Sequence, residues 1–119
     1  MKVAIGTDHR GREIKETIIS LLSSEIEFID CSIENHDTDD YPDFAFEVGK
    51  VVSTQKAEFG ILICGTGIGM SIAANKVSGV RCALVHNIDE ARLAKEHNDA
   101  NVLAFGSNLS VDEMISFIK

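Results

Sequence analysis

Phe59-Gly60-Ile61-Leu62-Ile63-Cys64-Gly65-Thr66-Gly67-Ile68-Gly69-Met70-Ser71 is the stretch from which the rest of the chain is read. Ile61-Leu62-Ile63 is an apolar run of the length of a buried strand. The run stops at Cys64, and glycines follow at alternating positions, Gly65, Gly67 and Gly69. Ser71 to Lys76 then reads as helix. A thiol therefore ends a strand, and a loop of bare backbone leads into a helix start. That arrangement can place a nucleophile or base beside an anion-binding cradle.

Working outward, strands and helices alternate. Lys2 to Gly6 reads as a first strand ending in Thr7-Asp8-His9. Arg10 to Ser23 carries Ile14, Ile18, Leu21 and Leu22 at helical spacing. Glu25 to Cys31 reads as a second strand, with Ile26, Phe28 and Asp30 on one side. Ser32 to Pro42 is polar and reads as a loop that positions Asp39, Asp40 and Tyr41. Asp43 to Thr54 is helical, with Phe44, Val48, Val51 and Val52 as its stripe. Phe59 to Ile63 is the third strand, and a short helix covers Gly69 to Lys76. Arg81 to Val85 is the fourth strand, Ile88 to Glu96 a helix, and Asn101 to Phe105 the fifth strand. Val111 to Ile118 reads as a last helix capped by Ser110.

Parallel neighbours need crossover connections, so this alternation predicts an α/β fold. With right-handed crossovers it is a Rossmann-like, doubly wound, five-stranded parallel sheet in a three-layer α/β/α sandwich. Ligands in such sheets bind at the carboxyl ends of the strands. Asp8-His9, Cys64 and His86 all follow strands and are expected at that edge. His97 follows a helix and belongs to the opposite edge. It can serve the same site only from a neighbouring subunit or through an unusual bend.

The 119 residues suit a single domain, 1–119, and 45% are apolar, enough for a core. No apolar run approaches the roughly 20 residues of a membrane span. Met1 to Gly6 lacks the architecture of a signal peptide, so a cytoplasmic location is expected. A net charge of −8 argues against a nucleic-acid partner but leaves room for a small phosphorylated substrate. Cys31, Cys64 and Cys82 are widely spaced and form neither a zinc pattern nor a disulfide framework. No histidine pair shows ligand spacing with a carboxylate, so no metal site is expected.

Each candidate has an ordinary structural alternative. Cys64 could be a small buried hydrophobe, but its position before the glycines favours chemistry, since a helix N-terminus lowers a thiol pKa. Cys31 and Cys82 lack that setting and read as structural. The Gly65-Thr66-Gly67-Ile68-Gly69 run has neither dinucleotide nor Walker spacing. It is either a tight turn or a set of amides for a phosphate or oxyanion. Asp8 could be a helix N-cap, His97-Asn98-Asp99 a polar helix end, and Asp39-Asp40-Tyr41 a solvated loop. His36 and His86 read as surface residues.

Taken together, Asp8-His9, Asp40-Tyr41-Pro42, the run from Gly60 to Lys76, and Glu96-His97-Asn98-Asp99-Ala100-Asn101-Val102-Leu103 closely resemble type B ribose-5-phosphate isomerase. The superfamily also holds galactose- and allose-6-phosphate isomerases. The resemblance runs from Lys2 to about Ser107, with the blocks in order. It implies interconversion of ribose 5-phosphate and ribulose 5-phosphate through an enediolate, without metal or cofactor, in the pentose phosphate pathway. Cys64 is then the base and Thr66 assists proton transfer between oxygens. The amides from Gly65 to Ser71, including Gly67, Ile68 and Gly69, form the anion hole. His97 and Asp8 open the sugar ring, His9 contacts phosphate, and Tyr41 and Asn98 position substrate. The resemblance also implies a homodimer or tetramer whose sites are shared between subunits, with His97 reaching the partner's Cys64.

Family members continue through a longer final helix carrying arginines that bind the partner's substrate phosphate. This chain ends at Lys119 and has Asn108 where an arginine is expected. On that basis it reads as shortened at the C-terminus. A hexose 6-phosphate isomerase and a shortened, non-catalytic sugar-phosphate-binding homologue are the alternative readings.

Overall fold

The computed structural model describes residues 1–32, 41–109, 113 and 118. Strands β1 (Lys2–Thr7), β2 (Glu27–Asp30), β3 (Phe59–Cys64), β4 (Cys82–Leu84) and β5 (Val102–Gly106) form one sheet in the order β2-β1-β3-β5-β4. Every pairing is parallel. Helices α1 (Arg12–Leu22) and α4 (Ile88–Asn98) cover one face. Helices α2 (Tyr41–Ser53) and α3 (Ile68–Ala74) cover the other. The three-layer, doubly wound architecture expected from the alternation is therefore present.

Both faces of the central strands are buried, which explains why their sequences are continuous apolar runs rather than alternating ones. Ile5, Ile61, Ile63 and Phe105 face α1 and α4, whereas Ala4, Leu62, Val102 and Ala104 face α2 and α3. Each fully buried isoleucine or leucine contributes about 1.5–3 kcal/mol of transfer free energy. Helix α2 lies close to the sheet because Gly6 and Gly60 have no side chain beneath it. A Cβ at Gly60 would stand 2.8 Å from Val48 Cγ1.

Several element boundaries differ from the sequence reading. The first helix starts at Arg12, not Arg10, because His9–Gly11 form a 3-10 turn first. Its buried stripe is Lys15, Ile18 and Leu22, while Leu21 is 57% exposed. The second strand begins at Glu27, since Ile26 N–H still closes onto Leu22 O at 2.9 Å. Tyr41 and Pro42 open α2 rather than ending a loop, because proline has no N–H to lose in a first turn. That helix buries Ala45, Val48, Gly49 and Val52, so Phe44 and Val51 are only partners at the rim. The third helix spans Ile68–Ala74, one residue earlier at its start and two shorter at its end. The fourth strand has only 3 residues. Helix α4 runs on to Asn98, past the expected end at Glu96, and stops where Asp99 turns left-handed at φ 50°. Strand β5 begins at Val102 and extends to Gly106. Asp39, Asp40, His36 and most of the final helix, including its cap at Ser110, lie outside the described residues.

β4 is an edge strand, and one side chain occupies its free side at Cys82. Asn75 Nδ2 donates to Cys82 O at 2.9 Å, and Cys82 N–H donates to Asn75 Oδ1 at 2.8 Å. The amide of Asn75 thus takes both backbone groups that Cys82 turns away from β5. Among the described residues no helix is long and apolar enough to cross a membrane.

Candidate active site

The sheet's crevice lies between β1 and β3. These neighbours send their chains to opposite faces, β1 into α1 and β3 into α3, which is where such sheets bind ligands. Thr7 pairs in register with Ile63. Asp8 and Cys64 each lie one residue further on, across a strand spacing of about 5 Å.

Cys64 is the last residue of β3 and only 4% exposed. Its sulfur accepts the Gly67 N–H at 3.1 Å. The bond fixes the direction in which the sulfur points at the end of β3. Gly67 is suited to this by its left-handed conformation, φ 83°. A Cβ there would stand 2.7 Å from Leu84 Cδ1 and 2.8 Å from Phe105 C, so glycine is required for space as well. The loop is fastened from β5 by Ser107 N–H, which donates to Cys64 O at 2.7 Å.

Thr66 is exposed, and its Oγ1 accepts the Ile68 N–H at 3.2 Å. Ile68 is exposed as well, while Ser71 is nearly buried and donates its hydroxyl to Ile68 O at 2.8 Å. The amide cradle is therefore narrower than the full run from Gly65 to Ser71. The amides of Gly67 and Ile68 serve Cys64 and Thr66, and that of Ser71 closes the first helical bond to Gly67 O. Gly69 and Met70 remain as first-turn amides, which have no partner within their helix.

Three other elements bring groups to this loop. Asp8 follows β1 and is 1% exposed. It is not the N-cap of α1, since Gly11 holds that position without a side-chain bond. His9, half-buried, opens the 3-10 turn. The ring of Tyr41, at the start of α2, lies against Gly69, where a Cβ would meet its Cε1 and Cζ at 2.5 Å. Asp8, His9, Tyr41, Cys64, Gly65, Thr66, Gly67, Ile68, Gly69 and Ser71 are thus gathered at one edge.

His97 and Asn98 are not among them. Both are exposed at the end of α4. Asn98 O accepts Arg81 Nε at 2.9 Å, and Arg81 immediately precedes β4. This is the amino edge of the sheet, the length of β5 away from Cys64, on the order of 13 Å along the strand. No bend brings His97 back. His86 is an exposed capping element: its N–H donates to Glu90 Oε1 at 2.7 Å, and the ring Nδ1 lies 3.0 Å from the same oxygen. That bonding holds the Glu90 carboxyl below the usual range. Burial pushes the Cys31 and Cys82 thiols up to about 12, so both stay neutral in keeping with a structural role.

A buried cluster beneath the site escaped the sequence reading. Lys15 is 1% exposed, and its Nζ lies 3.1 Å from Asp30 Oδ2 and 2.6 Å from Ser32 O. The signal was present, because Lys15 precedes Ile18 by three and Leu22 by seven and so sits on the buried stripe.

Comparisons with known proteins agree with this fold. Residues 3–119 match the Ribose/Galactose Isomerase family. Ribose-5-phosphate isomerase B of Escherichia coli is 42% identical over 118 residues, 98% of this chain and 79% of that protein. The ribose-5-phosphate isomerase B structure from Clostridium thermocellum superposes with a TM-score of 0.94 at 42% identity, covering 99% of this chain and 81% of that one. The enzyme of the same name from Mycoplasma genitalium, solved with bound ribulose-5-phosphate, gives 0.91 at 40% identity, over 98% and 80% of the two chains.

Proposed function

Because the chain belongs to the Ribose/Galactose Isomerase family and is a sugar-phosphate isomerase, we propose that it interconverts ribose 5-phosphate and ribulose 5-phosphate through an enediolate at Cys64. The observation that carries this reading is the buried Cys64 sulfur, held by the Gly67 N–H at the carboxyl edge of β3.

In the forward direction Cys64, as thiolate, removes the proton from C2 of the open-chain aldose. The electron pair moves to the C1 carbonyl and gives an enediolate. Loop amides stabilise the developing oxygen charge, an effect that depends on donors already in place. Thr66 moves the hydroxyl proton between the oxygens, and Cys64 returns its proton to C1. Neither atoms nor electrons are gained, so the step needs no co-reactant. Asp8 and His97 open the sugar ring beforehand. His9 contacts the phosphate, and Tyr41 and Asn98 orient the substrate.

Since His97 and Asn98 stand at the far edge of their own sheet, they serve the Cys64 of a second copy. The working unit is then at least a dimer with shared sites. The test is turnover of ribose 5-phosphate by the purified chain alongside Cys64→Ala. Turnover lost in the variant supports the reading. Equal, negligible rates in both, with ribose 5-phosphate still bound, refute it. Much faster turnover of allose 6-phosphate moves the substrate to the hexose series.

A further inference from the structure

We propose that Lys15 is a positioning residue for the isomerase site, its buried ammonium tying together the carboxyl ends of β2, β1 and β3. The inference rests on the isomerase reading above. An ammonium has three donors and no acceptor. Here they meet the Asp30 carboxylate at 3.1 Å, Ser32 O at 2.6 Å and Ser32 Oγ at 3.3 Å. Ser32 is itself 1% exposed. Its Oγ accepts the Thr7 N–H at 3.1 Å, which holds the end of β1. Thr7 Oγ1 in turn lies 2.8 Å from Ile63 O and 3.0 Å from Asp8 O. Thr7 directly precedes Asp8, and Ile63 directly precedes Cys64. A continuous chain of polar contacts thus runs from Lys15 to the backbone beside both residues.

Packing alone does not account for a lysine here. An aliphatic side chain on the stripe of Ile18 and Leu22 would fill the space without a buried charge. Buried ion pairs recover their desolvation cost poorly as stability elements. What a lysine adds is a charged tether with fixed geometry, and the ends it fixes carry the chemistry. The same ammonium holds Ser32 O, where the chain leaves β2 on its way to Tyr41.

Two variants test this. Lys15→Met combined with Asp30→Asn removes both charges together and keeps the volume. Ser32→Ala cuts the link to Thr7 and leaves the ion pair intact. Each is compared with wild type for kcat and KM on ribose 5-phosphate, for melting temperature, and for the rate of Cys64 alkylation by iodoacetamide, followed residue by residue by mass spectrometry. In both variants kcat falls roughly 10- to 100-fold, KM shifts by less than about threefold, and Cys64 alkylation changes by at least about threefold. A lowered melting temperature with wild-type kcat and wild-type Cys64 alkylation makes Lys15 a stability element and overturns the proposal. If the double variant does not fold, Ser32→Ala decides alone. Should wild type fail to turn over ribose 5-phosphate, the isomerase reading fails separately. The alkylation arm then decides, with a changed rate supporting the tether and an unchanged rate overturning it.

Discussion

The carboxyl and amino edges of the sheet differ in how they present polar groups. At the carboxyl edge Asp8 and Cys64 are 1% and 4% exposed, and the loop above them is pinned by Ser107 and by the Tyr41 ring. At the amino edge His97, Asn98 and Asp99 are exposed, at the end of a helix fastened by Arg81. One edge keeps Asp8 and Cys64 out of solvent. The other displays its groups outward. The difference teaches that, if His97 acts at Cys64 as proposed, a single chain builds both halves but cannot join them, and the proposed chemistry needs a second copy.

Removing the thiol gives the largest expected break in that comparison. Cys64→Ala should lower kcat roughly a thousandfold, measured by ribulose 5-phosphate formation, while circular dichroism stays that of the wild type. A loss under tenfold would take Cys64 out of the chemistry. The sharpest test of the divided site mixes subunits. Cys64→Ala and His97→Ala are each expected to be nearly inactive, yet together they should recover about a quarter of wild-type activity, because half of randomly formed dimers carry one intact site of two. No recovery after confirmed subunit exchange would mean that each chain works alone.

Gly67→Ala comes next, because it forces a side chain into a left-handed backbone against Phe105 and Leu84. We expect a loss of about 1–3 kcal/mol in urea unfolding, together with reduced kcat. Full stability would show that the loop can re-form around a methyl group. The smallest effect is alkaline. Burial pushes Cys31 and Cys82 from 9.0 to about 12, with Glu47 and then Asp30 adding to the effect at Cys31. The unfolded chain releases these protons at lower pH than the folded one. Their contribution is therefore complete below about pH 9 and lost as pH rises from there toward about 12. A Cys31→Ala, Cys82→Ala variant should show a flatter decline of unfolding midpoint with pH over that range. An identical decline would assign it to other groups.

The two edges were legible to different degrees. Strand–helix alternation predicts parallel strands, and the position of His97 after a helix predicts its edge, because chain direction alone decides both. Strand order is another matter. Whether β4 or β5 lies beside β3 depends on packing between distant segments, and no local pattern carries it. In sequence Tyr41 reads as a loop residue because the proline next to it signals a break, whereas Pro42 in a first helical turn has no hydrogen bond to lose. Its contact with Gly69 joins two segments far apart in the chain. Lys15 was hidden because a charged residue is normally assigned to solvent, and only its spacing from Ile18 and Leu22 says otherwise.

The clasp of Asn75 on β4 bears on how copies of this protein can associate. An open edge strand invites another strand to pair with it and so permits unlimited stacking of sheets. Here both outward backbone groups of Cys82 are occupied by the Asn75 amide, and the strand is only 3 residues long. Pairing of a further strand at Cys82 is blocked. A copy docking at that point of the sheet would meet side chains rather than free strand groups, and a two-fold arrangement of such surfaces closes on itself at a defined size.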